Sequence, residues 1–168
     1  KDTAKEAKYI DDCKRMGVTV SAPDVNNGFE VFTPQEDRII FGLGAIKNVG
    51  LNAVHAIVEE RRKDGPFKTL FELCSRVDLH DLNSKALDSL IRCGACDCLE
   101  GNRAQKILAL EEAMEYGRVS HRDRISGQGS LFDDEDTGAI EPQLKEHEEL
   151  SVKRVLEDEK ELLGLYLS

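Results

Sequence analysis

"GLGAIKNVGLNAVHAI", Gly42 to Ile57, decides how the rest of the chain is read. Small residues and two glycines lead to Lys47, and Asn48-Val49-Gly50 then forms a turn. Beyond the turn, Val54, Ile57 and Val58 recur at helical spacing. A helix entered through such a turn leaves its first backbone N–H groups without partners, and its dipole adds partial positive charge there. Asn and Gly adopt a left-handed conformation at low cost, and Asn48 and Gly50 supply both.

This is the helix-hairpin-helix pattern. One phosphate of a duplex could rest on the N–H groups of Val49, Gly50, Leu51 and Asn52, with Lys47 alongside. Such a contact reads no base sequence. The same residues would equally build an ordinary corner between two helices, capped by glycine. "LIRCGACDCLEGNRAQKI", residues 90–107, reads as a degenerate second copy. There Arg103 and Lys106 could approach a phosphate, or could form a solvated basic face on a core helix.

Outward from these two units the chain is mainly α. Residues 4–16 read as a helix with Ala7, Ile10 and Cys13 on one side. A short extended piece follows, then Pro23 and an Asn26-Asn27-Gly28 turn. "FEVF" (29–32) and "RIIFG" (38–42) read as a β-hairpin with "TPQED" as its loop. Residues 67–79 form a short helix with Leu70, Leu73 and Cys74 inward. The next helix starts near Leu82 or Asn83 and buries Leu87, Leu90 and Ile91. A strong helix over 102–117, capped by Asn102, closes the module. Residues 117–142 lose all periodicity and read as a flexible linker. The organisation expected is a β-hairpin segment over 1–42, a tandem helix-hairpin-helix module over 43–116, the linker over 117–142, and a C-terminal helix over 143–168.

Inside the linker, Gln128, Leu131 and Phe132 stand out: two large apolar side chains among Gly, Ser and Asp. Gln-x-x-Leu-Phe on a tether suits a short docking motif. The Leu-Phe pair would fill an apolar pocket of a partner while the amide bonds its rim, a gross gain of about 3–6 kcal/mol. The alternative is that the pair folds back onto the chain's own core.

The net charge of -10 is uneven. Residues 121–168 hold 6 basic and 13 acidic side chains, against 17 and 20 in 1–120. Global charge therefore opposes nucleic-acid binding, and any such contact is local and salt-sensitive. No apolar run approaches the roughly 20 residues that span a bilayer, so no membrane partner is expected. Five cysteines with no secretory signal point to reduced thiols. Cys93-x-x-Cys96-x-Cys98 lacks a second knuckle, which makes buried thiols packing a turn the expectation over a metal site. No nucleotide-binding, metalloprotease or nucleophile-elbow motif is present, and no catalytic residue is assigned.

Six blocks in order resemble the alpha-subunit family of bacterial DNA polymerase III, the replicative polymerase. They are "RMGVTVSAPDVNNG" (15–28), "IIFGLGAIKNVG" (39–50), "GPFKTLFELCSRVD" (65–78), "LNSKALDSLIRCGACD" (82–97), "GQGSLF" (127–132) and "EKELLGLYLS" (159–168). The resemblance implies an internal fragment running from the distal fingers through the tandem hairpins, cut where an oligonucleotide-binding fold begins. It implies that Gln128, Leu131 and Phe132 dock on the sliding clamp, and that Asn48–Gly50 tracks the backbone of duplex DNA. Other domains and subunits of the polymerase are the remaining implied partners, in a bacterial cytoplasm. The family's magnesium-holding palm carboxylates lie upstream, so the fragment needs no cofactor and does not polymerise alone. Two departures are visible: Asn48 replaces a common Gly, and the cysteines of "CGACDC" replace apolar residues. The competing expectation is a helical scaffold that packs on neighbouring domains and does not touch DNA.

Overall fold

The computed structural model describes residues 3–126 and 140–167. Helix α1 (Thr3–Arg15) lays Ile10 onto the core, with Cys13 half-buried beside it. Three short strands follow: β1 (Thr19–Ser21), β2 (Thr33–Gln35) and β3 (Arg38–Ile40). The order is β1-β3-β2, with β1 parallel to β3 (Val20 opposite Ile39) and β2 antiparallel to it (Pro34 opposite Ile39).

The hairpin is thus tighter than the sequence suggests. "TPQ" is its first strand, not its loop, and the chain turns at Glu36, where φ is 54°. Pro34 is tolerated because β2 is an edge strand. "FEVF" is not a strand, because its carbonyls serve elsewhere. Phe29 O accepts from Leu43 N at 2.8 Å and Glu30 O from Gly44 N at 3.0 Å. Phe32 packs edge-on against Phe41, with ring centroids 4.7 Å apart.

A 3-10 turn at Leu43–Ala45 leads into α2 (Leu51–Asp64), which buries Ala53, Val54 and Ile57. Helices α3 (Leu70–Arg76) and α4 (Ser84–Arg92) start at Thr69 and Asn83, whose side chains accept from Glu72 N and Ala86 N. The expected single helix over 102–117 is two: α5 (Arg103–Leu108) and α6 (Leu110–Ser126), bent at Ala109. Leu108 at the bend is 65% exposed.

Helix α6 also continues through Gly117 into the stretch read as linker. Gly117 is there for closeness and does not stop the helix. A Cβ at that position would lie 2.4 Å from Cys74 O, so glycine lets α6 press against α3. Phe71 of α3 meets Tyr116 of α6 edge-on at 5.9 Å. After the undescribed stretch, residues 140–151 are not helical as expected over 143–168; α7 begins only at Val152 and ends at Leu163. The preceding segment is an extended strap, held by bonds to the second hairpin described below. Leu162 and Leu163 complete a core built mainly from Leu, Ile, Val and Ala.

Candidate nucleic-acid interface

The first hairpin joins the 3-10 turn to α2. Asn48 takes the left-handed conformation, with φ 68°. Gly50 does not: it is the extended N-cap of α2, φ -77° and ψ 159°. Asn48 therefore does the work a glycine does elsewhere, and its side-chain Nδ2 donates to Ser89 Oγ at 3.2 Å, tying the hairpin to α4. Lys47 is exposed, while its backbone N–H donates to Leu162 O of α7 at 3.0 Å.

Val49 is 1% exposed and its N–H donates to Ile46 O at 3.3 Å, so it supports the turn and does not face a ligand. No side chain caps α2. Its first internal bond is from Val54 N to Gly50 O, which places Leu51, Asn52 and Ala53 among the donors a helix cannot pair itself. Gly50, Leu51 and Asn52 are exposed. The first hairpin thus offers solvent an uncapped helix N-terminus with Lys47 at its edge.

The second hairpin is built the other way. Its turn runs from Cys93 to Asn102, and Arg103 and Lys106 open α5. Both are buried, Arg103 at 7% and Lys106 at 0% exposure, so neither can reach a phosphate. Arg103 grips the turn itself. Its Nε and Nη2 donate to the two oxygens of Asp97 at 3.0 and 2.8 Å, and Nη1 lies 3.5 Å from Glu159 Oε1. Lys106 Nζ donates to Cys96 O at 2.7 Å, and burial pulls its pKa below the ordinary value. A buried cation must be compensated, and these two use the carboxylates and carbonyls that the fold brings them.

The start of α5 is also occupied. Asn102 and Gln105 form a reciprocal capping box. The Glu149 carboxylate accepts from Arg103 N and Ala104 N, both at 3.1 Å, and from Leu150 N at 2.8 Å. Burial opposes its ionisation, yet these N–H groups outweigh burial and hold its pKa below the usual carboxylate value. Asn102 Nδ2 and Gln105 Nε2 donate to His147 O and Lys145 O, both at 2.9 Å, and these bonds fix the strap. From α7, Asp158 and Glu159 add buried carboxylates: Asp158 to Arg92 and Arg154, Glu159 to Arg103 and to Leu167 N. The acid-rich tail therefore holds part of its charge as counter-ions to the second hairpin. Sequence spacing carries no signal for this, because the partners lie 45 to 66 positions apart.

The cysteines pack as expected at Cys93 and Cys96, while Cys98 is exposed. Burial pushes the Cys74 and Cys93 thiols up to about 12 and Cys96 well above its ordinary value, so they stay protonated at neutral pH. Among the described residues no group of His, Cys, Asp and Glu is placed to hold a metal ion, and no helix is long and apolar enough to cross a membrane. Gln128, Leu131 and Phe132 lie outside the described residues.

A family model described as the helix-hairpin-helix motif matches residues 17–106, which include both hairpin turns. The chain belongs to that family. More narrowly, it matches the DNA polymerase III subunit alpha of several bacteria across 99% of its length. It is 36% identical to that of Caulobacter vibrioides, 39% to that of Pseudomonas aeruginosa and 36% to that of Vibrio cholerae. It spans only 14%, 16% and 15% of the length of these relatives.

Proposed function

We propose that this chain is a tethering part of a replicative DNA polymerase: it contacts the backbone of duplex DNA without sequence preference and docks on the sliding clamp. The observation that supports the first half is the uncapped N-terminus of α2, exposed beside Lys47 at the left-handed Asn48 turn. Phosphates suit such a site because backbone N–H groups and the helix dipole both favour an anion. The contacting set is Lys47, Gly50, Leu51 and Asn52, with Asn48 and Val49 shaping the turn. Arg103 and Lys106 are left out of it.

The clamp half rests on the Gln128, Leu131 and Phe132 pattern and on the polymerase relatives. Each contact alone is weak. Joined on one chain, two weak contacts gain avidity of about 10²–10⁴-fold. Nucleotide transfer and its magnesium chemistry belong to parts of the polymerase outside these residues, acting in the bacterial cytoplasm.

The second hairpin favours the rival scaffold reading for its own part of the molecule, since its cations and helix start are used internally. Calorimetric titration with the clamp tests the docking half. The Leu131→Ala/Phe132→Ala double variant is expected to lose clamp binding while keeping its melting temperature and DNA affinity. Unchanged clamp affinity would overturn that half.

A further inference from the structure

We propose that the groove between the loop over residues 78–80 and the last two turns of α6 is a second contact for the protein that takes the Gln128, Leu131 and Phe132 segment, and that it receives an acidic surface with an apolar edge. The inference rests on the docking half of the function proposed above and adds to it a surface on the folded part of the chain.

Two stripes run along α6. One faces α3, where Ala113, Met114 and Gly117 are buried. The other is Arg118, His121, Arg122 and Ile125, spaced three and four apart and so aligned along one side of the helix. With Asp78, Leu79 and His80 this second stripe lines an open groove of about 600 Å³. The walls are held in place. His121 Nε2 donates to Val77 O at 2.9 Å, and Asp78 Oδ1 accepts from His80 N at 2.9 Å. Leu79 lies against α6 at Gly117, where a Cβ would fall 2.8 Å from Leu79 Cδ1.

The floor is apolar and the rim is cationic. Leu79 is half-buried, whereas Ile125 is 88% exposed, so the core gains nothing from it. Arg118 is engaged with Glu115 at 3.1 Å, while Arg122 and Arg124 are exposed. Asp78 is the one carboxylate in the lining, and it is engaged in the turn at His80. Residues 117–126 carry three arginines and one aspartate in a chain of net charge -10. Charge complementarity selects an acidic partner. The apolar floor selects a protein over a phosphate backbone, because Ile125 and Leu79 gain only by being taken out of water.

Position says which protein. Gln128 follows Ile125 by three residues, and three residues span at most about 11 Å. Any partner that seats Gln128 therefore stands close to the end of α6. That distance is about one Debye length at physiological salt, so acidic groups on the partner feel Arg122 and Arg124.

The test is calorimetric titration of the clamp with the whole chain, with its Arg122→Glu/Ile125→Ser variant, and with a free peptide of residues 127–136. Both substituted side chains are exposed, so the variant should keep the parent's melting temperature. The parent is expected to bind about tenfold more tightly than the peptide, and the variant to fall to the peptide's affinity. The loss from Arg122→Glu alone should shrink as salt rises, and the loss from Ile125→Ser alone should not. A variant that binds the clamp like the parent would overturn the proposal and leave the docking reading intact. So would a variant that binds the clamp more tightly, which assigns the groove to the chain's own acidic run over residues 133–136. A variant that loses affinity only for a mixed-sequence duplex assigns the groove to nucleic acid, and also overturns the proposal. Clamp affinity indifferent to Leu131→Ala/Phe132→Ala would overturn the docking reading and this inference with it.

Discussion

The two hairpins have the same plan and opposite wiring. The first presents an uncapped helix, an exposed lysine and a left-handed Asn48. The second turns its cations inward, seats Glu149 on the α5 amides and caps the helix with Asn102. A helix N-terminus attracts an anion in either case. The difference lies in who supplies it: in the second hairpin the chain's own tail does, and in the first the position is open to solvent. A repeated motif need not be a repeated function, because the partner of each N–H group decides what the motif can still bind.

Substitutions can break this contrast, and the largest effect is expected at Arg103. Arg103→Ala removes the cation that bridges Asp97 and the buried Glu159, an expected cost of about 3 kcal/mol. Urea unfolding measures it. DNA affinity of the folded variant should match the parent, and a loss specific to DNA would return Arg103 to the interface.

Glycine to alanine changes give the next contrast. Gly94 has φ 93°, and a Cβ there would lie 2.4 Å from Arg103 Nη2, so Gly94→Ala should cost about 2 kcal/mol. Gly50 has ordinary φ and open space around its Cβ position. Gly50→Ala should cost less than about 1 kcal/mol, the scale of a weakened N-cap. Paired melting curves decide whether the second turn is the strained and braced one.

Glu149 gives the smallest stability effect and a pH signature. Its folded pKa lies below the ordinary 4.5. Its stabilisation is therefore present above that ordinary value and is lost as pH falls through the folded pKa. Because Glu149 is largely exposed, its contribution should stay within about 1 kcal/mol. Glu149→Gln should flatten the acid side of the stability curve, whereas an unchanged acid limb would mean that the carboxylate is not held by the α5 amides.

Much of this was legible in the sequence. Helical spacing located most of the helices, Asn102 caps where its side chain suggested, and of Leu82 and Asn83 it is Asn83 that caps α4. The left-handed Asn48 was readable because few residues tolerate that conformation. Gly117 misled, since a glycine that permits close packing looks the same in sequence as one that ends a helix. Arg103 and Lys106 misled for a related reason. A cation beside a helix start reads as a phosphate ligand unless its buried counter-charge is known, and Glu159 lies 56 positions away. The open N-terminus of α2 was foreseen from the turn that precedes it, while the loop over residues 29–32 was misread as a strand because its carbonyls bond to the 3-10 turn.

The central claim is that the first hairpin contacts DNA and the second does not. The most direct measurement is the dependence of duplex affinity on salt for the parent, Lys47→Ala and Glu149→Ala. Lys47→Ala should weaken binding severalfold and reduce the slope of log affinity against log salt by about one, the signature of one lost phosphate contact. Glu149→Ala should leave affinity and slope as they are. The reverse pattern, with Lys47→Ala silent and the freed second hairpin steepening the slope, would contradict the account.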